Sequence, residues 1–266
     1  MKKYIKSLFV YLKRYIASGS DIKDVKKLIR KMRPKGFADI NLVRIGPNTD
    51  GGYLVPDFLN GIEALFSPGV DVKSEFEVAC YTNYNMRLFL ADASVDMPKI
   101  SSDVPYHFEK KFLAPYNSNE YFSLDSWVNN HVDLSTCKDL MLQMDIEGAE
   151  YSVLLNMSER LQSKFRIIVV EFHGLQNIWE NNFRQIFDSM LSKLLLTHEI
   201  VHLHPNNSSD LDSRCGVEIP CMMEFTFCRK DFIKGDAANV IIPHQFDFDC
   251  VPNRRTIILP SLWLKD

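Results

Sequence analysis

Two apolar segments of the chain end in side chains that can carry charge or bind a cation. The first segment runs into Asp145 and Glu147, and the second runs into Glu171 and His173. Apolar runs of this kind are typical of buried parallel strands, and ligands of open α/β sheets bind at the carboxyl ends of those strands. Because alternate residues of a strand point the same way, we expect these four side chains to meet at one edge of a sheet.

Three carboxylates and one imidazole in a single place predict a metal site. Burying so many charges is costly unless a cation or a substrate compensates them. An oxygen-rich ligand set with one imidazole suits Mg, Mn or Fe(II) better than zinc, and it indicates Asp145, Glu171 and His173 as ligands. In the alternative interpretation, Glu147 caps the following helix and Glu171 pairs with an arginine.

A second group of polar residues follows further along the chain. His202 and His204 alternate on a predicted strand and are followed by Asn206 and Asn207. Either histidine is a candidate general base near neutral pH, although a histidine on a strand more often has a structural role. Glu224 lies mid-strand among apolar neighbours, where a carboxylate needs a partner, and we expect it to face the same site.

The turn after the first predicted strand is a candidate nucleotide site. It reads Ser-Pro-Gly-Val at residues 67–70, so that Gly69 lets the backbone approach a ligand at the start of the next helix. Asp92 ends the second predicted strand, where nucleotide binders place an acid on the ribose hydroxyls. The two features, about twenty residues apart, favour an adenosine-type ligand, whereas the missing G-x-G-x-x-G argues against a dinucleotide.

The apolar periodicity predicts an alternation of strands and helices. Strands are predicted at residues 63–67, 86–91, 106–113, 140–144, 166–172, 198–204 and 222–229. Helices are predicted at residues 2–16, 21–33, 74–84, 149–162 and 178–195. The last two strands alternate apolar and polar residues and are expected to form a closing antiparallel pair. The whole pattern predicts an α/β fold with a doubly wound, mostly parallel sheet.

Charge is distributed unevenly along the 266 residues. Residues 1–35 hold twelve Lys or Arg against Asp21 and Asp24, a net of +10, so the remainder carries −13 of the total of −3. We therefore divide the chain into a basic N-terminal helical arm, residues 1–36, and one domain, residues 37–266. The arm suits peripheral contact with an anionic membrane surface or a phosphorylated polymer. In the alternative interpretation it is a solvated amphipathic helix that packs on its own domain.

Several classes of protein are not expected. No signal peptide is visible and no segment approaches 18 uninterrupted apolar residues, so we expect a cytoplasmic protein without a membrane span. None of the six cysteines forms Cys-x-x-Cys, which argues against a zinc ribbon. We expect no nucleic acid polymer among the partners.

The sequence resembles the FkbM family of S-adenosylmethionine-dependent methyltransferases from about Arg44 to Asn253. The strongest similarity lies at residues 144–150, Met-Asp-Ile-Glu-Gly-Ala-Glu, followed by Val-Glu-Phe-His at residues 170–173. Supporting pieces are Asp50-Gly51-Gly52-Tyr53, Ser67-Pro68-Gly69-Val70, Glu75-Phe76-Glu77, Ser123-Leu124-Asp125, His204-Pro205-Asn206-Asn207 and Pro252-Asn253.

The resemblance implies a Rossmann-like, seven-stranded sheet of the class I methyltransferase type, with an antiparallel last strand. It also implies S-adenosylmethionine as cofactor. The cofactor-binding residues implied are Gly69, Glu75, Asp92, Ser67 and Asp125. The arrangement also resembles that of metal-assisted O-methyltransferases, which hold a cation at the ends of strands four and five. Asp145, Glu171 and His173 match that place and not a shared motif.

The activity implied is methyl transfer to a sugar hydroxyl of a nucleotide-activated sugar or of a surface polysaccharide, such as capsule or lipopolysaccharide. The catalytic candidates are Asp145, His173 and His204. His173 cannot be metal ligand and base through one nitrogen, so these two roles are alternatives. The substrate-binding candidates are Tyr53, Glu147, His202, Asn206, Asn207 and Glu224.

Two other functions are weighed against this one. A catalytically silent Rossmann-like binding module in a glycan assembly complex would keep the fold and need no methyl donor. A nicotinamide-dependent oxidoreductase is disfavoured because the glycine fingerprint is missing. The oligomeric state stays open, with a homodimer as one option.

Overall fold

The computed structural model describes residues 18–70 and 73–265, so the first predicted helix, at residues 2–16, lies outside the described residues. The strands of the central sheet are β1 (Ala64–Pro68), β2 (Arg87–Ala91), β3 (Tyr106–Glu109), β4 (Leu140–Met144), β5 (Phe165–His173), β6 (His198–Pro205) and β7 (Met222–Arg229). The α-helices are α1 (Ile22–Lys31), α2 (Glu75–Tyr84), α3 (Leu124–His131), α4 (Glu150–Asn156), α5 (Glu159–Gln162) and α6 (Asn181–Thr197).

The central sheet has the strand order β3-β2-β1-β4-β5-β7-β6. Its strands run parallel except β7, which is antiparallel to both β5 and β6. This is the seven-stranded, doubly wound sheet with an antiparallel last strand that was expected, and the α/β fold class is confirmed. The chain changes direction across the sheet between β1 and β4, and a switch point of this kind opens a crevice at the carboxyl ends of the strands.

Both faces of the sheet are covered, which explains why its central strands read as continuous apolar runs. All five residues of β4 are buried. One face packs against α1 and the helices α3 to α6, with Trp127 and Phe187 among the buried side chains. The other face packs against α2 and an antiparallel hairpin formed by Leu42–Ile45 and Tyr53–Pro56. Smaller pairs join Gly36–Phe37 to Ala237–Ala238, Phe112–Leu113 to Tyr121–Phe122, and Leu211–Arg214 to Val217–Pro220.

Three predicted elements differ from the observed ones. The helix predicted at residues 149–162 is broken after α4, because Met157 adopts an extended ψ of 132° and Ser158 caps α5 by accepting from Leu161 N at 3.1 Å. The strand predicted at residues 106–113 ends at Glu109, and Phe112–Leu113 pairs elsewhere. The long helix predicted at residues 178–195 begins only at Asn181, after a 3₁₀ turn.

The described part of the basic arm packs against the domain. Asp21 caps α1 by accepting from Lys23 N at 2.7 Å, and the apolar side of α1, including Val25 and Ile29, is buried in the core. Lys31 Nζ lies 2.6 Å from Asp188 on α6. This arrangement agrees with the alternative interpretation of the arm. Within residues 18–70 and 73–265, no helix combines the length and the hydropathy that crossing a bilayer requires.

Candidate active site

The loops after β1 and β4 touch each other at the switch point. Gly69 has φ +84°, and a Cβ atom there would lie 1.5 Å from the carbonyl oxygen of Asp145. Asp145 N donates to Pro68 O at 3.2 Å. Only glycine fits this position, because the conformation is left-handed and the neighbouring backbone leaves no room. The close approach that the sequence predicted for a ligand is thus already required by the second loop.

Two cavities lie on either side of this contact. One, of about 340 Å³, is lined by Asp92, and the other, of about 320 Å³, is lined by Tyr53 and Glu75. Gly69 and Asp145 line both cavities. A ligand in one cavity is therefore adjacent to a ligand in the other, at the carboxyl edge where open sheets bind their substrates.

His173 stands among carboxylates at the end of β5. Its Nδ1 atom lies 3.1 Å from Glu150 Oε1. Its Nε2 atom faces oxygens of Glu147, Asp145 and Glu171 at 3.5, 3.6 and 3.7 Å. Because a carboxylate only accepts, His173 carries a proton on Nδ1 toward Glu150, and its Nε2 atom faces the other three residues. The structure thus brings the four predicted residues together.

Glu150 is the residue of this site that the sequence reasoning missed. It is fully buried, and its Oε1 atom accepts from Ile146 N at 3.1 Å and from Gly148 N at 3.0 Å as well as facing His173. Glu150, rather than Glu147, therefore organises the turn that leads into α4. The sequence Asp-Ile-Glu-Gly-Ala-Glu contains a second glutamate, Glu150, three residues after Glu147. This spacing was the only sign in the sequence that the second glutamate, and not the first, is buried.

Three carboxylate oxygens at the site are buried without a hydrogen-bond partner among the described residues: Asp145 Oδ1, Glu150 Oε2 and Glu171 Oε2. Asn206 Nδ2 donates to the other oxygen of Glu171 at 3.0 Å. In the described chain Glu171 pairs with no arginine, contrary to the alternative interpretation. Buried polar atoms normally have partners, so the unpartnered oxygens of Asp145 and Glu171, two residues that lie beside His173, mark a place for a ligand.

Burial controls the electrostatics of this group. It raises the pKa of Asp145 to about 7, with the charges of Glu147 and Glu150 adding to the effect and His173 opposing it. Burial also raises the pKa of Glu171 well above its usual range, helped by the charge of Asp145. For His173, burial alone would lower the pKa, but the hydrogen bond and charge of Glu150 and the other carboxylates outweigh it and raise the pKa.

The predicted metal ligands fit a divalent cation by donor type and by spacing. One donor atom from each of Asp145, Glu171 and His173 lies within 4.8 Å of the others. Two of the unpartnered oxygens, Asp145 Oδ1 and Glu171 Oε2, belong to residues of this set. The carboxylate of Glu150 on Nδ1 is the kind of support that orients histidine ligands in metal sites.

Glu224 and His204 form a row with Glu171 across the sheet. Glu171 on β5 is opposite Glu224 on β7, which is opposite His204 on β6. Burial raises the pKa of Glu224 to about 7, against the opposing charges of His204 and Arg44. Two strand spacings, about 10 Å, separate His204 from Glu171. The structure therefore does not place His204 in the cluster of acids around His173.

Both predicted histidines of β6 are held by Asp247. His202 Nε2 lies 2.9 Å from Asp247 Oδ1, and His204 Nδ1 lies 3.7 Å from the same atom. The predicted substrate residue Asn207 is also engaged, since its Oδ1 accepts from Val251 N at 2.8 Å. His202 and Asn207 therefore anchor the C-terminal segment and line neither of the two cavities.

Some of the predicted cofactor residues line the two cavities and others do not. Asp92 lines the cavity of about 340 Å³ and accepts from Ser94 N at 2.7 Å through one oxygen. Glu75 is exposed at the mouth of the other cavity. Asp125 lines neither cavity, because its carboxylate accepts from Ser158 N at 2.9 Å and holds the cap of α5. Ser67 is buried beneath the cavities in a hydrogen-bond chain that also contains Tyr53.

The sheet order, the switch-point cavities and the acids at the strand ends define an α/β protein of the class I methyltransferase type. Residues 78–197 match the family model of the methyltransferase FkbM domain. This match, over 120 of the 266 residues, confirms the resemblance to FkbM-type methyltransferases recognised from the sequence, and that family implies S-adenosylmethionine as the methyl donor.

Comparisons with other proteins gave weaker likenesses. No curated protein matches the chain. Among solved structures, a fibrillarin pre-rRNA processing protein from Methanococcus jannaschii is similar at 10% identity over 73% of this chain and 84% of that chain, with a TM-score of 0.40. A protein described as Thermoplasma acidophilum 1320 is similar at 8% identity over 65% of this chain and 78% of that chain, with a TM-score of 0.27.

Proposed function

We propose that the protein transfers a methyl group from S-adenosylmethionine to a hydroxyl of a sugar, in a nucleotide-activated sugar or a surface polysaccharide. One observation carries the proposal: the two cavities share Gly69 and Asp145, and Asp145 lies beside His173. A donor bound across this contact presents its methyl group next to a cluster of acids and one imidazole. Adjacent binding of this kind aligns oxygen, carbon and sulfur for displacement.

The cavity of about 340 Å³ suits the adenosine part of the donor. Asp92 has one oxygen held by Ser94 N, which leaves the other for ribose hydroxyls. Leu113, Tyr121 and Ile146 add apolar surface to the same cavity, as a flat base requires.

The group of residues around His173 suits a hydroxyl as the methyl acceptor. In the transfer, the hydroxyl oxygen bonds to the methyl carbon, the carbon–sulfur bond breaks, and its electron pair stays on sulfur to give S-adenosylhomocysteine. The hydroxyl proton must leave, and the Nε2 lone pair of His173 is placed to receive it while Glu150 stabilises the imidazolium. Sugar hydroxyls both donate and accept, which matches the carboxylates of Asp145 and Glu147 beside that atom.

We further propose that the reaction is metal-assisted, because Asp145 Oδ1 and Glu171 Oε2 are buried without another partner. Asp145, Glu171 and His173 would hold the cation. A divalent cation there would supply Lewis-acid polarisation and lower the pKa of the sugar hydroxyl. His173 is then a ligand and not the base, and Glu147, with its exposed carboxylate 3.5 Å from Nε2, is the nearest group that can pass the proton to water.

Calorimetric binding of S-adenosylhomocysteine tests the donor site. We expect saturable binding that Asp92→Ala weakens at least tenfold, and that Asp103→Ala, an exposed acid outside both cavities, leaves unchanged. A heat that depends on Mn(II) and disappears in Asp145→Ala supports the cation. If no condition gives binding, the methyltransferase proposal fails and the catalytically silent binding module takes its place.

Transfer of labelled methyl groups tests the acceptor class. We expect label to enter nucleotide sugars or isolated surface polysaccharide and to resist mild base, as an ether does. Label recovered only in protein or in amino-containing small molecules would contradict a sugar hydroxyl as the acceptor. The basic arm, which suits a pyrophosphate-linked acceptor, predicts that transfer weakens as salt is raised.

A further inference from the structure

Four buried polar side chains form a hydrogen-bond chain under the cavity of about 320 Å³. Ser67 Oγ lies 2.6 Å from Glu77 Oε1 and 2.5 Å from Gln143 Oε1. Gln143 Nε2 donates to the hydroxyl oxygen of Tyr53 at 3.1 Å. Tyr53, Glu77 and Gln143 line the cavity, so the chain ends at its surface.

The protons in this chain of hydrogen bonds can be counted. Ser67 has one hydroxyl proton and two oxygen neighbours at hydrogen-bond distance. Gln143 Oε1 only accepts, so the Ser67 proton is directed to it. The contact between Ser67 and Glu77 then needs a proton on Glu77, because an ionised carboxylate would place two lone pairs against each other at 2.6 Å.

The surroundings of Glu77 agree with this count. Glu77 is 5% exposed, and no cation in the described part of the chain pairs with it. Burial raises the pKa of Glu77, although the contact with Ser67 and a hydrogen bond from its own backbone oppose the rise. A carboxyl group buried without a cation is more stable when neutral.

The donor-to-acceptor direction of these hydrogen bonds determines whether Tyr53 donates or accepts in the cavity. Its oxygen accepts from Gln143, so its own proton is left for a partner in the cavity. We propose that Glu77 is a neutral carboxylic acid that positions Tyr53, through Ser67 and Gln143, as a hydrogen-bond donor to an oxygen of the bound methyl donor. Were Glu77 ionised, the amide of Gln143 would turn round, and Tyr53 would have to donate inward and accept from the ligand.

The protonation state of Glu77 is tested without any ligand, and this test does not depend on the proposed function. We expect the infrared difference spectrum between wild type and Glu77→Gln at neutral pH to contain the carbonyl stretch of a protonated carboxylic acid. Glu218→Gln, at an exposed strand position, should give only the bands of an ionised carboxylate. Carboxylate bands in the Glu77 difference spectrum would overturn the inference.

The role of Tyr53 is tested with S-adenosylhomocysteine as probe, and this part rests on the proposed function. We expect Tyr53→Phe to weaken binding about tenfold, the effect of one lost hydrogen bond. Glu77→Gln should bind within about twofold of wild type, since its amide N–H donates to Ser67 as the acid does. A Glu77→Gln variant that loses binding as Tyr53→Phe does, or a Tyr53→Phe variant that binds normally, would refute the positioning role.

A second probe identifies the oxygen that Tyr53 meets. Methylthioadenosine keeps the nucleoside of the donor and lacks the amino-acid carboxylate. A Tyr53→Phe loss seen only with S-adenosylhomocysteine indicates the carboxylate, and an equal loss with both probes indicates the ribose. If wild type binds neither probe, the proposed function fails, and the infrared result still decides the state of Glu77.

Discussion

Replacing Glu150 by glutamine should change the titration of His173 in a defined direction. In the wild type, burial lowers the pKa of His173 from its ordinary value of 6.5, and the hydrogen bond and charge of Glu150 are the largest influences that raise it. Glutamine keeps the shape of the side chain and removes the charge. We therefore expect the pKa of His173 in Glu150→Gln to fall below the wild-type value.

The same substitution should reduce stability and activity. Glu150 Oε1 accepts from two backbone amides and the imidazole at 3.0–3.1 Å. Hydrogen bonds to a charged acceptor contribute roughly 1 kcal/mol more than neutral ones, so three of them predict a loss of about 3 kcal/mol, or roughly 6–12 °C in Tm. Loss of a partner that orients a ligating or basic imidazole predicts a fall of roughly 10–100-fold in activity.

NMR titration of the imidazole signals in metal-free protein measures the pKa, and Glu159→Gln, an exposed acid at the start of α5, is the matched control. Since His173 acts as base or ligand only when neutral, the acidic limb of the activity profile should move to lower pH in Glu150→Gln while the maximum rate falls. If the pKa of His173 in the variant equals or exceeds the wild-type value, Glu150 is not the group that raises it.

Three further predictions concern the loops and the ligands of the site. Gly69→Ala should destabilise the protein by more than about 3 kcal/mol in thermal unfolding, whereas Gly216→Ala, also at positive φ but with nothing within 4 Å of its Cβ, should cost only about 1–2 kcal/mol; similar losses would contradict the close approach of the two loops. Mn(II) should raise the Tm of wild type and not of Asp145→Asn, and an equal rise in both would argue against the cation site. Although burial opposes it, the hydrogen bond from His202 and the nearby imidazole of His204 hold the pKa of Asp247 below its usual range, so this carboxylate stabilises the fold above its unfolded pKa of about 4 and less as pH falls. Asp247→Asn should therefore lower Tm at pH 7 and flatten the decline of Tm in acid, and an unchanged acid profile would count against this role.

The sequence predicted those features that depend on local pattern. The strand at residues 140–144 has the predicted bounds because it is a continuous apolar run stopped by an acid. Asp145, Glu171 and His173 meet because parallel strands end at the same edge, which follows from the alternation of strands and helices. The antiparallel closing pair followed from its alternating polarity.

Features that depend on contacts between distant residues were not predictable in this way. The break between α4 and α5 is stabilised by Asp125, 33 residues before the Ser158 that it holds. His202 meets Asp247 across 45 residues, and Asp247 lies in an irregular segment without periodicity. A histidine or an asparagine before a loop gives the same sequence pattern whether its side chain binds a substrate or contacts the C-terminal segment of its own chain.

Glu147 shows how the site holds an unfavourable backbone in place. It has φ 55°, a left-handed conformation that costs a residue with a Cβ atom roughly 1–2 kcal/mol. Glu150 accepts from the amides on both sides of it, those of Ile146 and Gly148, so one buried carboxylate fixes this turn and the imidazole of His173 together. In this conformation the exposed carboxylate of Glu147 lies 3.5 Å from Nε2 of His173. Backbone strain of this kind occurs most often at functional sites, which agrees with the candidate active site placed around His173.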